Sequence, residues 1–208
     1  MKRWIGLLSV LLACVLICMG CGSEKVNVKG TFVPLDSEAD PNSEYFEGGT
    51  YINEYFGFVA DLPKDICRIR NSDKYLSHEA LFAYFMNGSY MGVYVYNIDQ
   101  LEDMQDKSAK DFGIKYLEEI CAGFEERELT ENTGDYYEIE FNFAGQDTIL
   151  LAAKTTPTIA DGAEGATAYF VPFKKGEHFL GIVGIDMGAQ SSEDIQNFLN
   201  EIFAKYPQ

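Results

Sequence analysis

Seven strand-like runs of apolar residues follow residue 50, and in the first of them Phe56, Phe58, Ala60 and Leu62 alternate with other residues, a two-residue period typical of β-strands with one buried face. The strand-like runs cover residues 50–63, 80–86, 90–98, 136–143, 147–155, 166–174 and 178–187. The first run ends at Pro63, which cannot donate to a sheet ladder. The second and third flank Asn87-Gly88-Ser89, a typical hairpin turn sequence. We therefore predict seven strands, several of them joined by short turns.

Two other segments carry apolar residues three and four positions apart, which predicts amphipathic helices. The first begins after Ser108, which forms a capping box with Asp111. Its predicted apolar face consists of Phe112, Tyr116, Leu117, Ile120, Cys121 and Phe124. The second is capped by Ser191 or Ser192 and is stopped by Pro207. Its predicted inward face consists of Ile195, Phe198, Leu199, Ile202 and Phe203.

This order of elements predicts an α+β fold. Short hairpins force antiparallel pairing, which excludes a doubly wound parallel sheet. We expect residues 50–208 to form a single domain, in which a largely antiparallel sheet is covered by the two amphipathic helices.

The first 20 residues have a different character. Lys2 and Arg3 precede an uncharged apolar run from Trp4 to Met19, which is the layout of a secretory signal peptide. The run ends at Gly20-Cys21-Gly22-Ser23, where the chain turns polar. We predict that residues 1–20 are a signal peptide.

This boundary resembles the lipobox of bacterial lipoproteins, in which a small residue precedes a cysteine that is lipidated and becomes the new N-terminus. The resemblance implies a lipid-anchored protein whose Cys21 carries acyl chains such as palmitate, with the domain facing outside the cytoplasm. Two or more acyl chains are needed for stable membrane attachment. Cys14 and Cys18 are weaker candidates, because the first leaves a short apolar run and the second follows bulky Ile17. An uncleaved N-terminal membrane anchor is the alternative.

Residues 21–49 are acidic and contain several Gly and Pro residues, so we predict a flexible tether that begins at the lipidated cysteine. Six side chains have the spacing of ligands at positions 1, 3, 5, 7, 9 and 12 of a calcium loop: Asp36, Glu38, Asp40, Asn42, Glu44 and Glu47. Pro41, however, occupies the position where that loop needs Gly. A solvated linker is the better interpretation.

Residues 51–63 read Y-x-N-x-Y-F-G-F-x-x-x-L-P. Together with the order of strands and helices that follows, this motif resembles the PsbP/Mog1-like domains of many small bacterial lipoproteins. The resemblance implies an α/β sandwich that acts as an accessory or binding protein without a catalytic centre. The Trp that usually follows the proline is replaced by Asp65-Ile66-Cys67.

The net charge of the chain limits the classes of partner that it can bind. With 33 acidic and 16 basic residues, the formal net charge is −17. Such a surface repels phosphate backbones, so we expect no nucleic-acid partner. Beyond the leader, Cys67 and Cys121 do not form a C-x-x-C pair. They are about equally well interpreted as buried thiols or as a disulfide. We expect no cofactor and no metal.

Few residues in the sequence indicate a catalytic or metal-binding function. His78 and His178 lie next to predicted strands, and no nucleophile or metal motif accompanies them. We interpret both as exposed residues at strand edges. Carboxylate pairs at 118–119, 125–126 and 138/140 are interpreted as solvated faces of the helix and of a strand.

Tyrosines give the strongest candidate for recognition. Tyr90, Tyr94 and Tyr96 share one face of a predicted strand, with Gly92 leaving a gap, and Tyr84 lies on the partner strand. A half-exposed tyrosine surface suits binding because its rings are large and amphipathic. The alternative is that the rings pack beneath a helix.

These observations predict a membrane-anchored extracytoplasmic lipoprotein with a non-catalytic domain that binds a protein or a small ligand. Two alternatives remain: an envelope-acting hydrolase that uses carboxylates, and a structural accessory of a membrane complex.

Overall fold

A computed structural model describes residues 27–35, 47–64, 79–86, 89–122, 124–126, 136–157, 166–186 and 191–207. Within these ranges the chain has eleven strands, two α-helices and one short 3₁₀ helix. Every strand pairing is antiparallel. The predicted α+β class is confirmed. The expectation of one sheet is corrected, because the strands form two.

The smaller sheet has four strands. They are β1 (Thr31–Pro34), β2 (Gly49–Asn53), β3 (Phe58–Leu62) and β11 (Phe203–Lys205), in the order β1-β2-β3-β11. Strand β1 lies within the segment predicted as a tether, where its Thr31 is paired with Ile52.

The predicted single strand over residues 50–63 is in fact the hairpin of β2 and β3. The turn bonds back to Asn53, whose backbone oxygen accepts from the Gly57 amide at 2.8 Å. Gly57 adopts a φ of +82°, in the left-handed region that favours glycine. The aromatic residues around Gly57 continue the alternating pattern and conceal the turn.

The larger sheet has seven strands. They are β4 (Glu79–Met86), β5 (Ser89–Asn97), β6 (Phe124–Glu126), β7 (Tyr137–Phe143), β8 (Gln146–Pro157), β9 (Ala166–Lys175) and β10 (His178–Asp186). Their order is β4-β5-β10-β9-β8-β6, and β7 also pairs with β8. The predicted hairpin around residues 87–89 is confirmed by the pairing of β4 with β5, in which Met86 lies opposite Ser89.

Helix α1 (Ala109–Cys121) begins at the predicted capping box, with Ser108 and Asp111 bonded to each other as expected. Helix α2 (Ser192–Ile202) is capped by Ser191, one of the two predicted residues. The 3₁₀ helix covers Ile98–Gln100. Two helix ends differ from the prediction: Phe124 belongs to β6, and α2 ends at Ile202, five residues before Pro207.

Two clusters of buried side chains lie on opposite faces of the larger sheet. The inner cluster contains apolar side chains from the smaller sheet, from one face of the larger sheet and from α2, including Phe58, Phe82, Val93, Leu180 and Leu199. The helix cluster contains α1 and side chains of the other face, including Tyr94, Tyr96, Phe112, Phe170 and Phe179. Because both faces are covered, β9 reads as an almost continuous apolar run.

Candidate functional site

Three of the four predicted recognition tyrosines lie side by side on β5. Tyr94 and Tyr96 are buried in the helix cluster, with 4% and 6% of their surfaces exposed, and Tyr90 is half-buried beside them. The hydroxyls of Tyr90 and Tyr94 are hydrogen-bonded to each other. The ring centroid of Tyr96 lies 4.9 Å from that of Tyr116 on α1. These rings therefore pack beneath a helix.

Tyr84 lies on the opposite face of the larger sheet. It is opposite Met91 in the pairing of β4 with β5, and it belongs to the inner cluster with 1% of its surface exposed. The register places Tyr84 beside an odd-numbered residue of β5, whereas the other three tyrosines are even-numbered. The four side chains do not form one surface.

Burial changes the acidity of the tyrosines on β5. Burial raises the pKa of Tyr94 far above its usual range, and the nearby Tyr90 raises it further. Burial also raises the pKa of Tyr96, with smaller contributions from Tyr116 and Glu119. The pKa of Tyr116 is raised to about 12, first by burial and then by Glu119. These hydroxyls stay protonated at physiological pH.

The inner cluster opens to solvent at a groove between the end of β3, strand β4 and helix α2. Its volume is about 380 Å³. The residues that line it are Asp61, Leu62, Pro63, Tyr84, Phe198, Glu201 and Ile202. We call this set the β3–α2 groove. Its volume falls in the range of pockets that hold small ligands, roughly 300–1,000 Å³.

The floor of the β3–α2 groove is apolar and aromatic. Leu62, Tyr84 and Ile202 are buried, and Phe198 is half-buried. The ring centroids of Tyr84 and Phe198 are 5.8 Å apart, with the planes inclined at 43°. Phe198 and the exposed Pro63 are therefore the apolar side chains of the groove that a ligand could contact.

Carboxylates form the rim. Asp61 and Glu201 are both exposed, on β3 and α2 respectively. The Thr50 hydroxyl donates to Oδ1 of Asp61 at 3.1 Å, which orients that carboxylate. The groove has no signal in the sequence, because residues 61 and 201 come to the same groove through tertiary contacts of α2 and β11 with β3.

His178 is placed differently from its prediction. It lies at the start of β10 between Asn97 of β5 and Lys175 of β9, so it has strands on both sides and is half-buried. Its ring centroid is 5.7 Å from that of Tyr55, in an edge-to-face arrangement. Among the described residues, its Nδ1 atom is buried and has no hydrogen-bond partner. The prediction of an exposed edge residue is wrong because β10 is central in its sheet.

The remaining candidates are dispersed or lie outside the described residues. Glu118 and Glu119 are exposed on α1, and Glu138 and Glu140 are exposed on β7. Lys110 of α1 forms an ion pair with Glu138 at 2.6 Å. Glu125 and Glu126 lie just past the end of α1, in β6.

Besides His178, the candidate residues include three cysteines and one other histidine. Cys121 is buried in the helix cluster at the end of α1. Cys21, Cys67 and His78 lie outside the described residues. Within the described part of the chain, no group of three or more His, Cys, Asp or Glu residues is arranged to hold a metal ion.

Comparisons with known proteins do not place the chain in a family. No family model, no curated protein and no solved structure matches it. In the part of the chain that the structure describes, no helix has the length and apolar character needed to cross a membrane.

Proposed function

We propose that this protein is a bacterial lipoprotein, anchored in the cell membrane through lipidated Cys21, whose α+β domain lies outside the cytoplasm and binds a ligand. The anchoring rests on the charged, then apolar leader that ends at Gly20-Cys21-Gly22-Ser23. The binding role rests on one observation, the β3–α2 groove with its apolar floor and carboxylate rim. The acidic surface favours acyl chains over a basic patch as the means of attachment.

We also propose that the domain is a PsbP/Mog1-like α/β sandwich in which α1 and α2 cover the sheets. Support comes from the motif at residues 51–63 and from two antiparallel sheets combined with two helices. Domains of this kind act as accessory or binding modules, and the proposed role of this protein is of that type.

The anchor is tested by mass spectrometry of the protein isolated from bacterial membranes. We expect the mature chain to begin at Cys21 and to carry a diacylglyceryl group. Cys21→Ser should leave the leader attached and remove the lipid. Cys14→Ser and Cys18→Ser are the matched controls and should be processed normally. An intact leader on the unsubstituted protein would contradict the proposal.

A hydrolase is the second candidate function, because Asp61 and Glu201 line the same groove. Paired carboxylates hydrolyse glycosidic bonds when one of them is desolvated and held protonated. Both side chains here are exposed, which favours binding over catalysis. Release of soluble fragments from purified envelope material by the unsubstituted protein, and not by Asp61→Asn or Glu201→Gln, would favour the hydrolase.

A structural accessory role predicts a stable complex. Co-purification after detergent extraction separates this role from ligand binding. A membrane protein that is recovered in constant proportion would favour the accessory role, and recovery of the protein alone would favour ligand binding.

A further inference from the structure

We infer that the β3–α2 groove binds a small organic cation that carries an apolar portion, such as a primary or quaternary ammonium compound. This inference rests on the proposed binding function and names the class of its ligand. Three features of the groove support it: its size, its aromatic floor and the sign of its rim charges.

The size favours a small molecule over an extended chain. A volume of about 380 Å³ is close to the lower limit for small-ligand pockets. Leu62 at the end of β3, Pro63 after it and the last turn of α2 bound the groove on two sides. All of the lining residues except Pro63 belong to a strand or to α2, which favours a groove that is formed before a compact ligand binds.

The aromatic floor suits a cation. Phe198 is half-buried and has the accessible ring, and the buried Tyr84 packs behind it with the two ring centroids 5.8 Å apart. The face of an aromatic ring attracts ammonium groups within about 6 Å of its centroid. Pro63, the exposed aliphatic residue of the lining, would contact the apolar portion of the same ligand.

Among charged ligands, only a cation has a charge opposite in sign to the rim. The charged residues among those that line the groove are Asp61 and Glu201, both acidic. One oxygen of the Asp61 carboxylate accepts a hydrogen bond from the Thr50 hydroxyl, and the side chain is otherwise exposed. An anion would be repelled by this rim, and a neutral ligand could donate hydrogen bonds to it but would gain no attraction between opposite charges. The net charge of −17 adds a long-range attraction for cations, which weakens as salt is added.

The test uses the full-length protein in an uncharged detergent, and protein-free micelles provide the baseline. Benzyltrimethylammonium, benzyl alcohol and benzoate are titrated separately by calorimetry at pH 7 in low salt. These probes share a ring and differ in charge. We expect the cation to bind at least about fivefold more tightly than the alcohol, and benzoate to bind most weakly.

Four variants locate the site. Asp61→Asn and Glu201→Gln should each weaken binding of the cation about two- to fivefold, and Phe198→Ala should weaken it similarly. Glu193→Gln removes an exposed charge from the first turn of the same helix, outside the groove, and should leave affinity unchanged. Equal urea midpoints for the carboxylate variants and the unsubstituted protein would show that the fold is intact.

Several outcomes would overturn the inference. The first is equal affinity for the three probes, and the second is an equal loss of affinity in Glu193→Gln and Glu201→Gln. The third is binding of a trilysine peptide without binding of the small cation. The mass of the N-terminus is measured on the same sample. Lipidated Cys21 without selectivity for cations contradicts this inference alone, and unmodified Cys21 with such selectivity contradicts the anchor alone.

Discussion

Asn53 is a fully buried polar residue that bonds the segment before β1 to the hairpin of β2 and β3. Its amide nitrogen donates to the Val28 oxygen at 3.0 Å, and its side-chain oxygen accepts from the Phe56 amide at 2.9 Å. Asn53→Ala leaves both backbone groups without these partners, at a cost of about 1–3 kcal/mol for each buried group. We expect a loss of about 2–4 kcal/mol in the free energy of unfolding, measured by urea denaturation.

Asn142 provides the matched control for this prediction. It also bonds to a turn amide, that of Gly145 at 3.0 Å, but its side chain is exposed. Water replaces exposed bonds, so Asn142→Ala should cost about 0.5–1 kcal/mol. Similar losses in the two variants would contradict the role assigned to the buried amide.

Gly92 determines how the tyrosines of β5 pack. A Cβ atom at this position would lie 2.6 Å from the Cε2 atom of Tyr94 and would also meet the hydroxyls of Tyr90 and Tyr94. We expect Gly92→Ala to destabilise the protein by about 1–3 kcal/mol, because overpacking displaces buried rings. Urea denaturation measures this loss. The same substitution in a Tyr90→Phe/Tyr94→Phe background should cost less, and an equal cost would contradict the assigned contact.

The tyrosines also show how far single residues can be predicted from the sequence. Alternation correctly places Tyr90, Tyr94 and Tyr96 on one face and leaves room at Gly92. It cannot show that α1 covers that face, because the helix is separated from β5 by a loop whose path depends on tertiary contacts. Tyr84 lies on the opposite face from these three tyrosines. Because Met86 lies opposite Ser89, even-numbered residues at this end of β4 are paired with odd-numbered residues of β5.

Capping boxes are the element-scale features that the sequence predicts best. Ser108 caps α1 and Ser191 caps α2, each with an aspartate three residues later. These bonds involve residues close in sequence, so the pattern identifies the cap of α1 and restricts that of α2 to Ser191 or Ser192. Ser108→Ala and Ser191→Ala should each cost about 1 kcal/mol in the free energy of unfolding. Ser192→Ala, which leaves the cap of α2 intact, is the control, and an equal loss in it would contradict the assignment.

The cap of α1 should also depend on pH. Hydrogen bonds from the Ser108 side chain and backbone lower the pKa of Asp111 below its usual value, and Lys107 and Lys110 add to this. A depressed folded-state pKa contributes stability above the unfolded pKa, near 3.9, and this contribution is lost as the pH falls through the folded value. Asp111→Asn should therefore lower the melting temperature at pH 7 and have little effect near pH 2. An equal effect at both pH values would contradict this linkage.

Element ends are predicted less well than element types, for a common physical reason. Strands β1, β6 and β11 have three or four residues and exist through pairing with distant partners, such as Phe203 with Ala60. Short segments of this kind carry too little periodicity to predict. Phe203 keeps the helical spacing of α2 although it begins a strand, so pairing with β3 overrides the local pattern.

At the scale of the whole molecule, the buried tyrosines should set the alkaline limit of stability. Burial raises the pKa of Tyr94 and Tyr96, so ionisation is favoured in the unfolded chain. A raised folded-state pKa contributes stability below the unfolded pKa, about 10, and the contribution is lost as the pH rises toward the folded value. We expect cooperative unfolding above about pH 10, with tyrosinate absorbance rising in the same transition. Tyrosinate absorbance that rises fully before the circular dichroism changes would contradict the burial.

The excess of acidic residues should make the fold sensitive to ionic strength. With a net charge of −17, like charges repel one another in the folded state more strongly than in the expanded chain. Salt screens this repulsion, since the Debye length falls from about 30 Å at 0.01 M to about 10 Å at 0.1 M. We expect the melting temperature at pH 7 to rise by several degrees between these salt concentrations. At pH 4.4, the isoelectric point of the sequence, the rise should be much smaller, because the net charge is then near zero. A rise of equal size at both pH values would assign the effect to general salt stabilisation of the apolar core and not to charge repulsion.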